Sequence, residues 1–431
     1  MKILLIGNGA REHAIAYKLK ENPKVKLYNF ASDNNPGLLN LAEEVKIGKV
    51  TDINQIISYL QLIKPDFVWI GPEAPLAVGI VDELAKKNIS SIGPTKELAR
   101  LETSKSFARD LLLRNKILAY PQFKVFNSSE GLKEFVEKLD QFVVKPDGLT
   151  SGKGVRVQGD HFQDPAEGIV YAQEMIKKDG RVVIEEKLIG QEFSLMSFVD
   201  GKNLAHMPLV QDHKRAYAND KGPNTGGMGS YSDADHFLPF LEKNDIKIAQ
   251  EINEKIIKIL PGYKGILYGG FIAVKDGVKL IEYNVRFADP ESMNILAILK
   301  TDLSEISQRI IDGTLDKIKI EFEKMATVCK YVVPEGYPEN SVKDKAIDVS
   351  GVDQNKVQLF YASIDKKNDT LYLKGSRAIA LVAKADTLEE AEKIVQKEIV
   401  KIKGPVFFRE DIGTRALIDK RVKMMEKIRN K

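Results

Sequence analysis

The first hundred residues alternate short apolar runs with helical patterns, and this alternation constrains the fold more than any other feature. Lys2–Ile6, Val25–Phe30 and Phe67–Ile70 read as three strands, with a helix over Arg11–Lys20 between the first two. Strands separated by helices call for a parallel sheet covered on both faces. Gly7, Gly71 and Gly93 close strands where the chain must turn. Ligands of such sheets sit beyond the carboxyl ends of the strands. Two loops fall there. Gly7-Asn8-Gly9-Ala10-Arg11-Glu12 opens a helix, so its amides can face a phosphate or merely form a turn. Glu12 stands where a dinucleotide fingerprint wants glycine or alanine, and Arg11 suits a single phosphate instead. Ile70-Gly71-Pro72-Glu73-Ala74-Pro75-Leu76 holds Glu73 between two prolines, where it can meet a sugar hydroxyl or stand as a plain loop acid.

The pattern changes after an amphipathic helix over Lys105–Asn115. Phe142–Lys145 and Val155–Gln158 read as a hairpin with a long loop, Lys145-Pro146-Asp147-Gly148-Leu149-Thr150-Ser151-Gly152-Lys153-Gly154. Three glycines, two hydroxyls and Lys145 suit amides folding over a polyphosphate; a flexible surface hairpin is the plainer alternative. It is no Walker loop, because it joins two strands. A helix over Pro165–Lys178 and a strand over Val182–Glu186 complete a small lobe. The strand runs into a hinge carrying Glu185, Glu186, Leu188 and Glu192. A purine can lie on such a hinge while a carboxylate takes ribose hydroxyls; acids beside a turn are otherwise solvated.

From Glu192 to about Arg286 the pattern is antiparallel, interrupted by a polar loop (Asp212–Ser232) and a helix (Leu241–Leu260). Gly265–Val274 and Val278–Val285 form a hairpin turned by Asp276-Gly277. The polar loop contains Gln211-Asp212-His213-Lys214-Arg215 and Gly222, Gly226, Gly227 and Gly229, which suit close backbone approach to a ligand. His213 can be a general base, though a structural role is the expectation. On the last strand Glu282, Asn284 and Arg286 alternate onto one face, with Tyr283 and Val285 on the other. A carboxylate and an amide oxygen suit Mg²⁺, and Arg286 can hold a phosphoryl group. Ala326 to about Leu417 is a further α/β unit with a helix over Leu388–Val400, and the basic tail Lys420–Lys431 reads as a solvated helical face.

Bulk properties narrow the function classes. A chain of 431 residues suggests two to four domains. A net charge of +4 is too mild for nucleic acid as a main partner. The lone Cys329 cannot form an intrachain disulfide and lies in an apolar run, so a buried packing residue in a reducing compartment is expected. No apolar stretch approaches the ~18 residues of a membrane span. Met1–Ile6 is not expected to be a signal peptide, and the cytoplasm is the expected location.

Taken in order, these segments resemble the ATP-grasp superfamily, and within it the phosphoribosylamine–glycine ligase family. The residues that carry the resemblance are Gly7-Asn-Gly-Ala-Arg-Glu-His-Ala14, Gly71-Pro-Glu-Ala-Pro-Leu76, Lys145-Pro-Asp-Gly-Leu149, Gln211-Asp-His-Lys-Arg215, Gly222-Pro-Asn-Thr-Gly-Gly-Met-Gly229 and Asn284-Val-Arg-Phe287. Departures are Ala10, Pro146, Ala288 and Ser292, and Phe271, which falls near the place where many ATP-grasp enzymes carry a metal-binding acid. The resemblance implies a multi-domain α/β fold: a Rossmann-like substrate domain (1–103), an ATP-grasp domain (104–325, lid about 120–190) and a C-terminal α/β domain (326–431). It implies that ATP phosphorylates glycine and that 5-phosphoribosylamine attacks the acyl phosphate, an early step of purine synthesis. By resemblance Lys105, Lys145, Gly148, Ser151, Gly152, Gly154, Glu185, Glu186, Leu188 and Glu192 line the ATP site. Glu282 and Asn284 bind Mg²⁺ or Mn²⁺. Asn8, Gly9, Arg11, Glu73, Lys214, Gly227 and Asp289 face the substrates. Asp212 as holder of the glycine ammonium and Arg286 as holder of the acyl phosphate are our own additions. A monomer acting on small molecules, without nucleic acid or membrane, is expected. The rival readings are an ATP-grasp carboxylase, a nucleotide-binding module without catalysis and a dehydrogenase.

Overall fold

In the computed structural model, which describes residues 1–149 and 154–430, the chain begins with a five-stranded parallel sheet. Its order is Glu44–Ile47, Lys26–Ala31, Lys2–Ile6, Phe67–Ile70, Ser91–Ile92. Ile3–Ile6 and Phe67–Ile70 are buried throughout, as a sheet covered on both faces requires. The apolar runs do not mark Glu44–Ile47, so Phe67–Ile70 is the fourth strand and not the third. That extra strand lies at the sheet edge with Glu44, Lys46 and Ile47 exposed, and leaves no buried pattern to read.

Residues 123–186 form a four-stranded antiparallel sheet in the order Phe123–Phe126, Val182–Glu186, Phe142–Pro146, Arg156–Val157, in the segment expected to be the lid. It has its own core, including Phe126, Phe142, Val144, Phe162 and Ile184, separate from the main one. The helix Pro165–Asp179 packs on it, capped by Asp164, whose side chain accepts from the Ala166 amide.

The central sheet runs Leu204–His206, Gln191–Asp200, Lys264–Val274, Gly277–Asn284. Val274 pairs with Gly277, so the hairpin turns on Lys275-Asp276, one residue earlier than Asp276-Gly277. Gly277 takes φ +108° and closes the turn from within the strand.

A six-stranded sheet follows: Gln211–Asp212, Gly229–Ser232, Ala326–Pro334, Ile379–Ala385 and Gln358–Tyr361 in order, with Val406–Phe407 pairing beside Ala326–Pro334. Its first two strands come from the polar loop, so that loop is built into the C-terminal sheet. Cys329 is fully buried there. The tail is not a solvated face. The helix Arg415–Arg429 docks through Arg421 on Asp220 at 2.7 Å and Arg429 on Asp245 at 2.7 Å, with Met425 buried. Among the described residues no helix is long and apolar enough to cross a membrane.

Candidate active site

A β-bulge sets the site strand. Gly270 pairs with Glu282, but its neighbour Phe271 pairs with Leu280, so Ile281 is an extra residue. Before it Val278 and Leu280 face the core; after it Tyr283 and Val285 do. Without the bulge, strict alternation would put Glu282 on the face of Leu280. Phe271 is therefore not the residue opposite Glu282. It is fully buried and stacks on Phe193 with ring centroids 5.6 Å apart, and Gly270 faces Glu282.

The carbonyl of Ile281 is taken by cations. Arg109 Nη2 donates to it at 2.8 Å and Lys145 Nζ at 3.3 Å. The same two groups hold Glu185. Arg109 donates to both its oxygens at 2.6 and 3.0 Å, and Lys145 Nζ lies 2.6 Å from Oε2. Burial would raise the Glu185 pKa, but Arg109 and Lys145 outweigh it and hold it at about 2. Burial lowers Lys145 and Lys105, opposed by nearby carboxylates. Glu282 is held below its usual range: burial opposes this, but Lys214, Lys145, Lys105 and Arg286 prevail. Lys214 is raised, first by Glu192, whose Oε2 lies 3.2 Å away. Glu192, Asp212, Lys214, Tyr268 and Ile281 line a narrow cleft.

Other sequence candidates are partnered within the protein. Lys105 donates to the Gly148 carbonyl at 2.7 Å, tying helix Lys105–Arg114 to the lid loop. Asp147 accepts from the Ser106 amide at 3.1 Å and hydroxyl at 2.6 Å. The Gly154 carbonyl accepts from Tyr171. Glu186 accepts from the Gln122 amide at 2.8 Å, and Leu188 is half-buried at the hinge. Ser151 and Gly152 lie outside the described residues.

At the carboxyl end of the parallel sheet, Glu12 occupies the loop itself. It accepts from the Gly9 amide at 2.6 Å and from Arg11 Nε at 2.6 Å. A Cβ on Gly71 would lie 2.4 Å from Glu12 Oε1, so glycine is needed there. Arg11 also donates to the Phe287 carbonyl at 3.1 Å and is buried. Asn8 accepts from Ser32 at 2.8 Å. Glu73 lies 3.4 Å from Arg286, whose other partner is Glu102 at 3.0 Å. Burial raises Glu102 to about 6, despite Arg286.

Next to the helix start, His13 joins the N-terminal sheet to the C-terminal one. Its Nδ1 accepts from the Tyr361 amide at 3.0 Å, and its ring stacks on Tyr361. Burial pushes its pKa down to about 3, from an ordinary 6.5. The unfolded chain therefore takes up this proton first as pH falls. Stability from neutral His13 is intact above pH 6.5 and is lost between there and pH 3, by roughly 1.4 kcal/mol per unit. His13→Leu should remove that slope from denaturant midpoints measured between pH 6 and pH 4.

The polar loop is clamped from the C-terminal sheet. Arg377 donates to the carbonyls of Gly226 (2.6 Å), Gly227 (3.1 Å) and Asp289 (3.1 Å), and lies over the Tyr331 ring. Tyr331 donates to Asp289 Oδ1 at 2.7 Å. Gly227 packs so closely that a Cβ would lie 2.7 Å from Asp212 Oδ1. Burial, then the neighbouring Glu291 carboxylate, raise Asp212 well above its usual range. His213 is buried with Nδ1 on the Gly229 carbonyl and Nε2 without a partner among the described residues; burial, then Arg421 and Arg409, push its pKa down.

Sequence reasoning did not find Arg109, Glu102, Glu291 or Arg377. Arg109 had a signal, a charge on the buried face of its helix beside Ala108 and Leu112. Glu102 and Arg377 had none, since their partners lie far along the chain.

A parallel N-terminal sheet, a small antiparallel lobe and a bulged strand flanked by lysines make up the site region, and the ATP-grasp (A) domain model that matches the lobe and the strand gives the class, an ATP-grasp enzyme. Family models assign the rest. Phosphoribosylglycinamide synthetase N, ATP-grasp (A) and C domains match residues 1–102, 103–292 and 327–415, and the chain belongs to that family of ligases. It is 48% identical over 443 residues to phosphoribosylamine–glycine ligase of Methanocaldococcus jannaschii, covering 100% of both chains. It is similar to the crystal structure of phosphoribosylamine–glycine ligase from Thermotoga maritima: 27% identity, TM-score 0.79, 95% of this chain and 100% of that one. Biotin carboxylase from Campylobacter jejuni shares the fold at 17% identity and TM-score 0.73, covering 99% of this chain and 95% of that one.

Proposed function

We propose that this ligase joins glycine to 5-phosphoribosylamine, using ATP, through a glycyl phosphate. The observation that carries the reading is the set of ion pairs gathered along the Glu282 strand: Arg109 and Lys145 on Glu185, Lys214 on Glu192, and Arg286 on Glu102 and Glu73. A carboxylate is a poor electrophile. A glycine oxygen attacks the γ-phosphorus, ADP leaves, and the amine then displaces phosphate from the acyl carbon. The protein's task is to position the reactants and neutralise charge.

In this reading Glu192 and the hinge at Glu186–Leu188 take the nucleoside, while Lys105, Lys145 and the lid loop take its phosphates. Asp212 holds the glycine ammonium, and Arg286 the transferring phosphoryl group. Gly227 and Lys214 border the glycine. Asn8, Gly9, Glu73 and Asp289 face the phosphoribosyl group; Arg11, turned onto Glu12, orders that loop from beneath. Glu282 and the Asn284 oxygen fit Mg²⁺ as hard oxygen donors. With Gly270 opposite, the rest of the shell falls to nucleotide oxygens and water. Bound there, the ion would neutralise the phosphates. The units 1–103, 104–325 and 326–431, a monomer and a cytoplasmic location complete the reading.

Phosphate release should require ATP, glycine and phosphoribosylamine together. Turnover with bicarbonate in place of glycine, and none with glycine, would instead make the chain a carboxylase.

A further inference from the structure

We propose that Glu102 is a positioning residue that fixes which end of the Asn284 amide faces the nucleotide. The proposal rests on Glu282 and Asn284 as the metal ligands, and not on which amine is ligated. Glu102 lies on the single helical turn Arg100–Thr103, just before Lys105, and is 8% exposed. Its Oε2 accepts from the Val285 amide at 2.7 Å. Its Oε1 meets Arg286 Nη2 at 3.0 Å, and one end of the Asn284 side-chain amide lies 3.0 Å from the same oxygen. One carboxylate thus holds three consecutive residues of the site strand.

The consequence for Asn284 is chemical. A carboxylate only accepts, so the end of the amide turned to Glu102 is the NH₂. Turned that way, the NH₂ also meets the Tyr283 carbonyl, 3.2 Å from the same end of the amide. The amide oxygen therefore points away from Glu102, to the side where donors or a cation can take it. A hard divalent ion takes the oxygen and is repelled by the NH₂ hydrogens. The two ends of an amide are nearly the same size, so sterics alone would not select between them. Arg286 bridges the Glu102 and Glu73 carboxylates.

The test is Mn²⁺ binding in the presence of a non-hydrolysable ATP analogue, measured without turnover. Glu102→Gln can donate to the Asn284 oxygen and turn the amide round, so it should weaken Mn²⁺ binding roughly ten- to a hundredfold, the usual effect of losing a ligand's supporting partner. Asn284→Asp alone should also weaken it, because two carboxylates then face each other. The double variant should recover most of the wild-type affinity, since both ends of an aspartate are oxygens. Wild-type binding by Glu102→Gln, tighter binding by Asn284→Asp, or a double variant no better than the singles would overturn the proposal. If Glu102→Gln fails to fold by circular dichroism, the Asn284→Asp result still decides. Unchanged binding in Glu282→Ala would overturn the ligand assignment beneath it.

Discussion

Glu282→Ala is expected to lower turnover at saturating ATP by at least about a thousandfold, while the protein remains folded. A thousandfold is ~4 kcal/mol of transition-state stabilisation, the scale of one lost electrostatic anchor in a closed site. Two effects add. On the proposed assignment, the variant removes a carboxylate donor from a metal site that has Gly270, and no second acid, opposite it. It also removes a negative charge that the nearby Lys214, Lys145 and Lys105 favour in its ionised form. The fold should survive because the core face of this strand is carried by Leu280, Tyr283 and Val285. Steady-state rates beside a thermal melt check both halves. A variant with more than a tenth of wild-type turnover would remove Glu282 from the chemistry.

Glu185→Ala is expected to destabilise the protein by about 3–5 kcal/mol, the cost of breaking a buried ion pair by removing one partner. Here the loss is double-sided. Arg109 and Lys145 both depend on Glu185, and both are buried. With the carboxylate gone, their remaining common acceptor is the Ile281 carbonyl. The bulge that aims Glu282 is thus tied to the same network, so ATP affinity should fall with stability. Urea midpoints and nucleotide titration measure the two. A shift under 1 kcal/mol would mean that the cations find other partners.

Local pattern revealed the elements but not their crossings. The parallel sheet was legible because its central strands are continuous apolar runs. Its edge strand, Glu44–Ile47, was not, because exposure there erases the pattern. The face of Glu282, Asn284 and Arg286 was legible from alternation beginning at Glu282. The bulge at Ile281 was not, since an extra residue shows only against a partner strand. The basic tail read as solvated because its acids, Asp220, Asp245 and Glu242, lie about two hundred residues away in sequence. Arg377 was invisible for the same reason: its acceptors are backbone carbonyls of a distant loop.

The most direct test of the glycyl phosphate account is the fate of glycine's own oxygen. Glycine labelled with ¹⁸O in its carboxylate, turned over with ATP and phosphoribosylamine, should yield phosphate carrying one ¹⁸O per amide formed. Amide product accompanied by unlabelled phosphate would contradict it.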